Sequence, residues 1–531
     1  MKYDLLIKNG TLISGGDEFF CRRGDLAVQE GRIAAVGDLF GDTGREEVEA
    51  GNLAVCPGFI DVHAHSELSV WQDGACLAKA SQGITTELTG QCGISAYPVE
   101  QEAAAGIREY TQSVLGGTEQ AWPWEDLAAY RREVEKQGMA INQGTFIGHG
   151  TLRINALGFA GRKTAAAELE SMKNMLASAL EEGAFGMSTG LVYAPGMFAD
   201  IRELTELARV CAAYDGIYTT HMRNEGNRLL DAVAEAIEVG EVSGVQVNIS
   251  HLKASGKPNH GKVRQALKLM EEAGARGLRI SGDCYPYDAS STTMTIILPP
   301  WSMTGGIAGL LTILADKEKK QKILRDFREG LPGWDNRVVN LGYDRIFIGS
   351  AASGRNKNLE GLSLEEGARL RQQDPGEFVL DLLLEEKGQV TAILQGMAEE
   401  DVRTVLAHPR MMVCTDGVPV GRKPHPRLYG AFTRYLSRYA DLATEEGITA
   451  AVRKLTALPA EVYGLKDVGY LLPGYRADIT IFDPCRVKDQ ATFAEPQRLS
   501  EGIQRVIVGG ETVLREKQPT GRTPGRFIRR R

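Results

Sequence analysis

The sequence predicts an α/β protein: a TIM-like (β/α)8 barrel with a small β-sandwich domain built from both chain termini. Three observations predict it. Short apolar strands between Gly-rich turns cluster near both ends of the chain, strands alternate with helix-patterned segments through the middle, and polar residues sit where the central strands end. A chain of 531 residues is also too long for one ordinary core, which favours a large domain plus an accessory one.

At the N-terminus, residues 3–8 (YDLLIK), 11–13, 26–28 (LAV), 32–36 (RIAAV) and 53–55 read as short strands. The same texture returns in YRADITIFDP (475–484) and IQRVIVGGETVLRE (503–516). The N-terminal pieces cannot bury a core of their own, so the two halves are expected to pair into one unit. The domain plan is therefore 1–56 and 466–531 as halves of the small β domain, and 57–465 as the barrel, with an insertion at about 288–345.

The barrel begins at PGFIDVHAHSE (57–67), where an apolar run feeds His-x-His. Side chains at i and i+2 of a strand share a face, so Asp61, His63 and His65 are expected to converge. GTFIGHG (144–150) precedes a helix over 164–183, whose Leu, Met and Ala recur every three or four residues and whose Gly183 is a stop. AFGMSTG follows, then a helix over 201–214, GIYTTH, a helix over 226–240, VQVNISH, a helix over 261–275, and LRISGDCYPY. Repeated βα units of this length imply a parallel sheet long enough to close. Residues 288–345 interrupt the pattern with Thr-, Ser- and Pro-rich sequence and a charged helix, and the alternation is expected to resume at DRIFIGSA and MMVCTDG.

Composition narrows the function classes. Apolar residues make up 43% and charged residues 24%, as in a soluble globular protein, and the net charge of −8 argues against nucleic acid as the main partner. The C-terminal GRFIRRR reads as a solvated basic tail. No signal peptide or membrane-spanning stretch is evident, and the eight scattered cysteines contain no CxxC pair, so a reducing cytoplasm is the expected compartment. The sequence leaves the oligomeric state open.

Catalytic groups of such barrels collect at the C-terminal ends of the strands. Those ends carry His63 and His65, Cys92 in ELTGQCGIS, His221 in YTTHMRNE, His251 in NISHLK and Asp416 in VCTDG. Taken singly, Cys92 reads as a small core residue, His221 and His251 as satisfied core histidines, and Asp416 as a cap or turn residue. Together they would crowd six unrelated polar groups into one barrel mouth. Zinc accounts for them, because thiolate and imidazole are its preferred ligands and a carboxylate completes or opens the site.

PGFIDVHAHSE, GQCGIS, GHGTLR, STGLVYAPG, THMRNE, SHLK, CTDG and HPRLYGAF together resemble the N-acyl-D-amino-acid deacylase (D-aminoacylase) branch of the metal-dependent amidohydrolase superfamily. His-x-His alone indicates only the superfamily; the cysteine of GQCG with SHLK points to this branch. Gln91 departs from the pattern, where the family more often has Asn. The resemblance implies one tight zinc on Cys92, His221 and His251, with His63, His65 and Asp416 forming a weaker second position. It implies hydrolysis of the linear amide of an N-acyl-D-amino acid, with Asp416 moving the proton. Lys253, two residues after His251, shares its face on a continuing strand, and Arg427 in RKPHPRLYG offers a planar fork for a carboxylate. In the family these positions contact the substrate carboxylate with Tyr193 and Tyr285 or Tyr287; Arg223 is a further candidate. Two alternatives stand beside this: a cyclic amide hydrolase, which usually carries a metal-bridging lysine where this chain has Cys92, and a non-catalytic scaffold. His149 is expected to support the site, Cys284 to pack, and His260, His408 and His425 to lie at the surface.

Overall fold

In the computed structural model, residues 2–14, 20–118 and 120–530 are described. Eight parallel segments follow one another through the middle of the chain. Phe59–Asp61 pairs with Ile84–Thr89, which pairs with Asn142–Thr145. That third strand is broken at Phe146 and continues as Ile147–Gly148, beside Gly186–Gly190, Ile217–His221, Gln246–Ile249, Ile280–Cys284 and Met411–Val413 in turn. A parallel bridge between Ala64 and Gly417, with the Asp416 amide donating to the His63 carbonyl at 2.9 Å, joins the last strand to the first. This junction brings residues 353 positions apart in sequence into the same corner of the molecule.

The intervening helices lie within a few residues of their expected spans: Ala166–Glu181, Ile201–Ala213, Leu229–Ser243 and Val263–Ala275. Ile201–Ala213 is representative. Asp200 caps it by accepting from the Glu203 amide, and Leu204, Leu207, Ala208 and Cys211 form its buried stripe. No helix among the described residues is long and apolar enough to cross a membrane.

Residues from both ends of the chain share one nine-stranded sheet. Lys2–Ser14 is antiparallel to Phe20–Gln29 and parallel to Thr43–Glu49 and Ala54–Pro57, and Ala54–Pro57 is antiparallel to Ile479–Phe482. Ile503–Val508 and Glu511–Arg515 extend it. Thr43–Glu49 escaped the sequence reading because only Val48 of its residues is buried.

Two expectations need correction. The interruption after Cys284 does not end at 345: Ile346–Ala351 pairs antiparallel with Val390–Leu394, which pairs antiparallel with Ser290–Thr293. These strands pack on a separate apolar cluster with Leu310, Ile323, Phe327, Phe378 and Leu382. A short apolar run reads the same whether it joins a parallel ring or an antiparallel insertion. The basic tail is not wholly solvated either, although Arg529 is exposed and Arg531 lies outside the described residues. Phe527 is buried and bridged to Gln143, the Ile528 amide donates to the Gln143 carbonyl at 2.7 Å, and Arg530 reaches the Tyr463 carbonyl and Asp215.

Candidate metal centre

All six ligand candidates of the sequence are buried and lie together. The Cys92 Sγ stands between them, 3.3 Å from His63 Nε2, 3.6 Å from His221 Nδ1 and 3.4 Å from His251 Nε2. His65, His63, Cys92 and Asp416 form one group with donor atoms within 4.8 Å of one another, and Cys92, His221 and His251 form a second. Cys92 belongs to both. Tetrahedral zinc with Zn–S of about 2.3 Å and Zn–N of about 2.0 Å places such donors roughly 3.5 Å apart. The observed separations and the S/N donor set therefore fit a zinc ion.

The backbone aims these groups. Cys92, His251 and Asp416 have φ of 56°, 35° and 45°, a left-handed conformation uncommon for side-chain-bearing residues. Each sits just beyond a strand, where the chain turns sharply and the side chain is thrown into the mouth. The Cys92 turn fits because Gly190 has no Cβ: one added there would stand 2.1 Å from the Cys92 carbonyl oxygen.

Electrostatics suit a metal. Burial pushes the Cys92 thiol up, but His63, His251 and His221 around it hold it well below its usual range, as a thiolate. Burial likewise opposes ionisation of Asp416, yet Arg427, His63 and His65 keep its carboxyl well below the usual carboxylate range. Its Oδ1 lies 3.2 Å from His65 Nε2 and 3.4 Å from His63 Nε2, and its Oδ2 lies 2.9 Å from Arg427 Nη1.

The remaining candidates divide. Lys253 Nζ contacts Glu225 and lies 2.7 Å from His251 Nδ1. Tyr193 Oη is 3.5 Å from His221 Nδ1 and 2.6 Å from Thr292 Oγ1. Tyr285 faces the same cavity with a buried hydroxyl that has no partner. Tyr287 does not join them. The strand ends at Cys284, so the two-residue alternation lapses and the Tyr287 ring turns under Arg434, 4.6 Å from its centroid. Arg223 is also elsewhere, held by Glu235 and by the Met197 and Ala199 carbonyls. Arg427 opens the helix Arg427–Arg438 rather than lying in a loop, and its partners are Asp416 and the Ser291 carbonyl at 3.0 Å.

Asp61 does not join the ligand groups; it accepts from the His63 amide at 3.3 Å and holds Lys79 Nζ at 2.5 Å and the Thr415 amide at 2.9 Å, tying the first strand to the last. His149 pairs with Glu203 at 2.7 Å beside Arg153. His425 is a correction: it is buried against Tyr287 and Phe493, not at the surface. Glu225 and Asp283 were missed. Glu225 lies 3.2 Å from His251 Nδ1 and 3.5 Å from His221 Nε2. Asp283 accepts from the His251 amide at 2.8 Å and lies 3.3 Å from His63 Nδ1. Both sit beside strand-end residues already singled out, and a carboxylate backing a ligating histidine is the signal that finds them.

A model of the amidohydrolase family matches residues 46–282 and 359–514. The chain is 36% identical to the N-acyl-D-glutamate deacylase of Alcaligenes xylosoxydans xylosoxydans, across 100% of this chain and 97% of that protein. It is 34% identical to a D-aminoacylase of the same organism, across 99% and 98%. The crystal structure of the Bordetella bronchiseptica N-acyl-D-glutamate deacylase, complexed with zinc and a phosphonate mimic of the tetrahedral intermediate, superposes with a TM-score of 0.84 at 34% identity over the whole of both chains. With its fold, its cysteine–histidine centre and these relatives in agreement, the chain belongs to the amidohydrolase family.

Proposed function

We propose that this protein is a zinc-dependent hydrolase that cleaves the linear amide bond of N-acyl-D-amino acids, releasing a carboxylate and a free D-amino acid. One observation carries the reading: the buried Cys92 Sγ sits within 3.6 Å of three imidazoles, with the Asp416 carboxyl 3.4 Å or less from His63 and His65. Cys92, His221 and His251 would hold the tight ion, and His63, His65 and Asp416 a weaker second position next to it. When bound, zinc supplies Lewis acidity toward the amide carbonyl and a water acidic near neutral pH.

The chain's own groups perform the proton transfers. Asp416 takes a proton from the attacking water as it adds to the carbonyl carbon, then delivers it to the amide nitrogen as the C–N bond breaks. Without that delivery the nitrogen would leave as an anion, and the adduct would revert. Tyr285 is kept protonated by burial, despite Arg427 nearby, so its unpartnered hydroxyl is a donor for a substrate oxygen. Lys253 and Tyr193 line the same cavity, with Lys253 Nζ 5.9 Å from the Tyr285 ring centroid. Cys92 in place of a metal-bridging lysine disfavours the cyclic-amide alternative.

For the architecture, we read the eight parallel segments as a (β/α)8 barrel over 57–465 and the terminal sheet, from 1–56 and 466–531, as a small β-sandwich. The shared cluster of Leu5, Ile7, Val28, Val55, Ile479 and Ile507 supports the latter. Eight free cysteines support a reducing, cytoplasmic setting.

The test is hydrolysis of a panel of N-acetyl-D- and N-acetyl-L-amino acids and a hydantoin, with metal content measured in parallel. Release of D-amino acids by protein carrying zinc is expected. A protein that binds no zinc and leaves every N-acyl-D-amino acid intact overturns the proposal.

A further inference from the structure

Two cavities meet above the metal centre. The smaller, about 30 Å3, is lined by His65, Cys92, His221, His251 and Asp416 with Lys253 and Tyr285. The larger, about 200 Å3, is walled mainly by apolar groups, including Phe159, Leu298, Met303 and Trp334. Five residues line both and so form the neck between them: Ile94, Val114, Tyr193, Ile296 and Arg337. Arg337 is the charged member of this neck.

The sequence singled out three other cations. Lys253 is already paired with Glu225 and Arg223 with Glu235, and Arg427 forms a close ion pair with Asp416, although its Nε and Nη1 also lack hydrogen-bond partners. Arg337 is only 4% exposed, yet its Nη2 has no hydrogen-bond partner, and its nearest acid, Asp335, stands 3.7 Å away, beyond hydrogen-bond reach. A buried guanidinium has five donors to satisfy, and leaving them unmade is costly. A carboxylate at the neck would accept two of them in parallel. Arg337 begins the short helix Arg337–Leu341 in the insertion, so the insertion itself would supply this contact.

We propose that Arg337 receives a carboxylate of the substrate at the neck between the two cavities. The proposal rests on the deacylase reading above. Every N-acyl-amino acid brings an α-carboxylate and an acidic one brings a second, so the test must separate the two sources.

The experiment compares zinc-loaded wild type, R337M and R337K with N-acetyl-D-leucine, N-acetyl-D-glutamate and the uncharged N-acetyl-D-leucinamide, by steady-state kinetics and by calorimetric binding. R337M is expected to raise KM for a carboxylate-bearing substrate by about 10- to 100-fold, the range for losing a charge-assisted hydrogen bond. Affinity for the leucinamide, zinc content and kcat should change little, and R337K should recover part of the loss. A loss shared by both acids assigns Arg337 to the α-carboxylate; a loss confined to N-acetyl-D-glutamate assigns it to the side chain. Unchanged KM and affinity for both acids in R337M overturn the proposal, as does an equal loss for the leucinamide. If wild type cleaves neither acid, the deacylase reading fails separately, while binding of the acids to wild type and R337M still decides the role of Arg337; if neither acid binds wild type, this proposal falls too.

Discussion

Asp416 is placed to act and to hold at once: one oxygen faces His63 and His65, the other Arg427. D416N preserves shape while removing the base. Its kcat should fall about 10²- to 10⁴-fold, the usual contribution of a positioned proton carrier. Zinc content should stay near wild type, because Cys92, His221 and His251 remain. Parallel loss of zinc, measured by elemental analysis, would mean that Asp416 mainly holds the metal. At this scale the sequence was informative for the ligands, since His-x-His and single polar residues at strand ends are local signals. It did not reveal that Arg427 pairs with Asp416, because that partner lies on another element, nor that Tyr287 turns away, because a chain turn cancels strand alternation.

Among the elements, strand ends do the positioning, and glycines make room for them. Gly190 ends the strand Gly186–Gly190 directly against the Cys92 turn. G190A would drive a methyl into the Cys92 carbonyl, and backbone cannot yield as a flexible side chain can. We expect at least a tenfold loss of zinc affinity with the far-ultraviolet circular dichroism unchanged; metal titration against a chromogenic chelator measures it, and wild-type affinity would show that the turn does not depend on this glycine. The same elements explain why the insertion was cut short in the sequence reading. Ile346–Ala351 carries the apolar run of a buried strand, and only its antiparallel partner Val390–Leu394 reveals which sheet it joins.

Across the whole molecule, the chain closes on itself at its far ends. The C-terminal segment runs under the parallel strands, with the Gly525 amide on the Met139 carbonyl and Phe527 packed 6.2 Å from the Tyr130 ring. F527A should therefore destabilise the fold by about 3 kcal/mol, as for other buried aromatics cut to alanine. Urea unfolding followed by fluorescence measures this, and a change under about 0.5 kcal/mol would return the tail to the surface role its charges suggest. The sequence by itself determined the alternation of strands and helices, the pairing of strand-rich ends and the six ligand candidates, because periodicity and strand-end residue types are local properties. Only the tertiary structure decided that Cys92 stands between both ligand groups, that Glu225 and Asp283 back the histidines, and that Arg337 Nη2 is left without a hydrogen-bond partner at the neck. Those facts depend on which distant strands and loops meet when the ring closes, and no local pattern encodes that meeting.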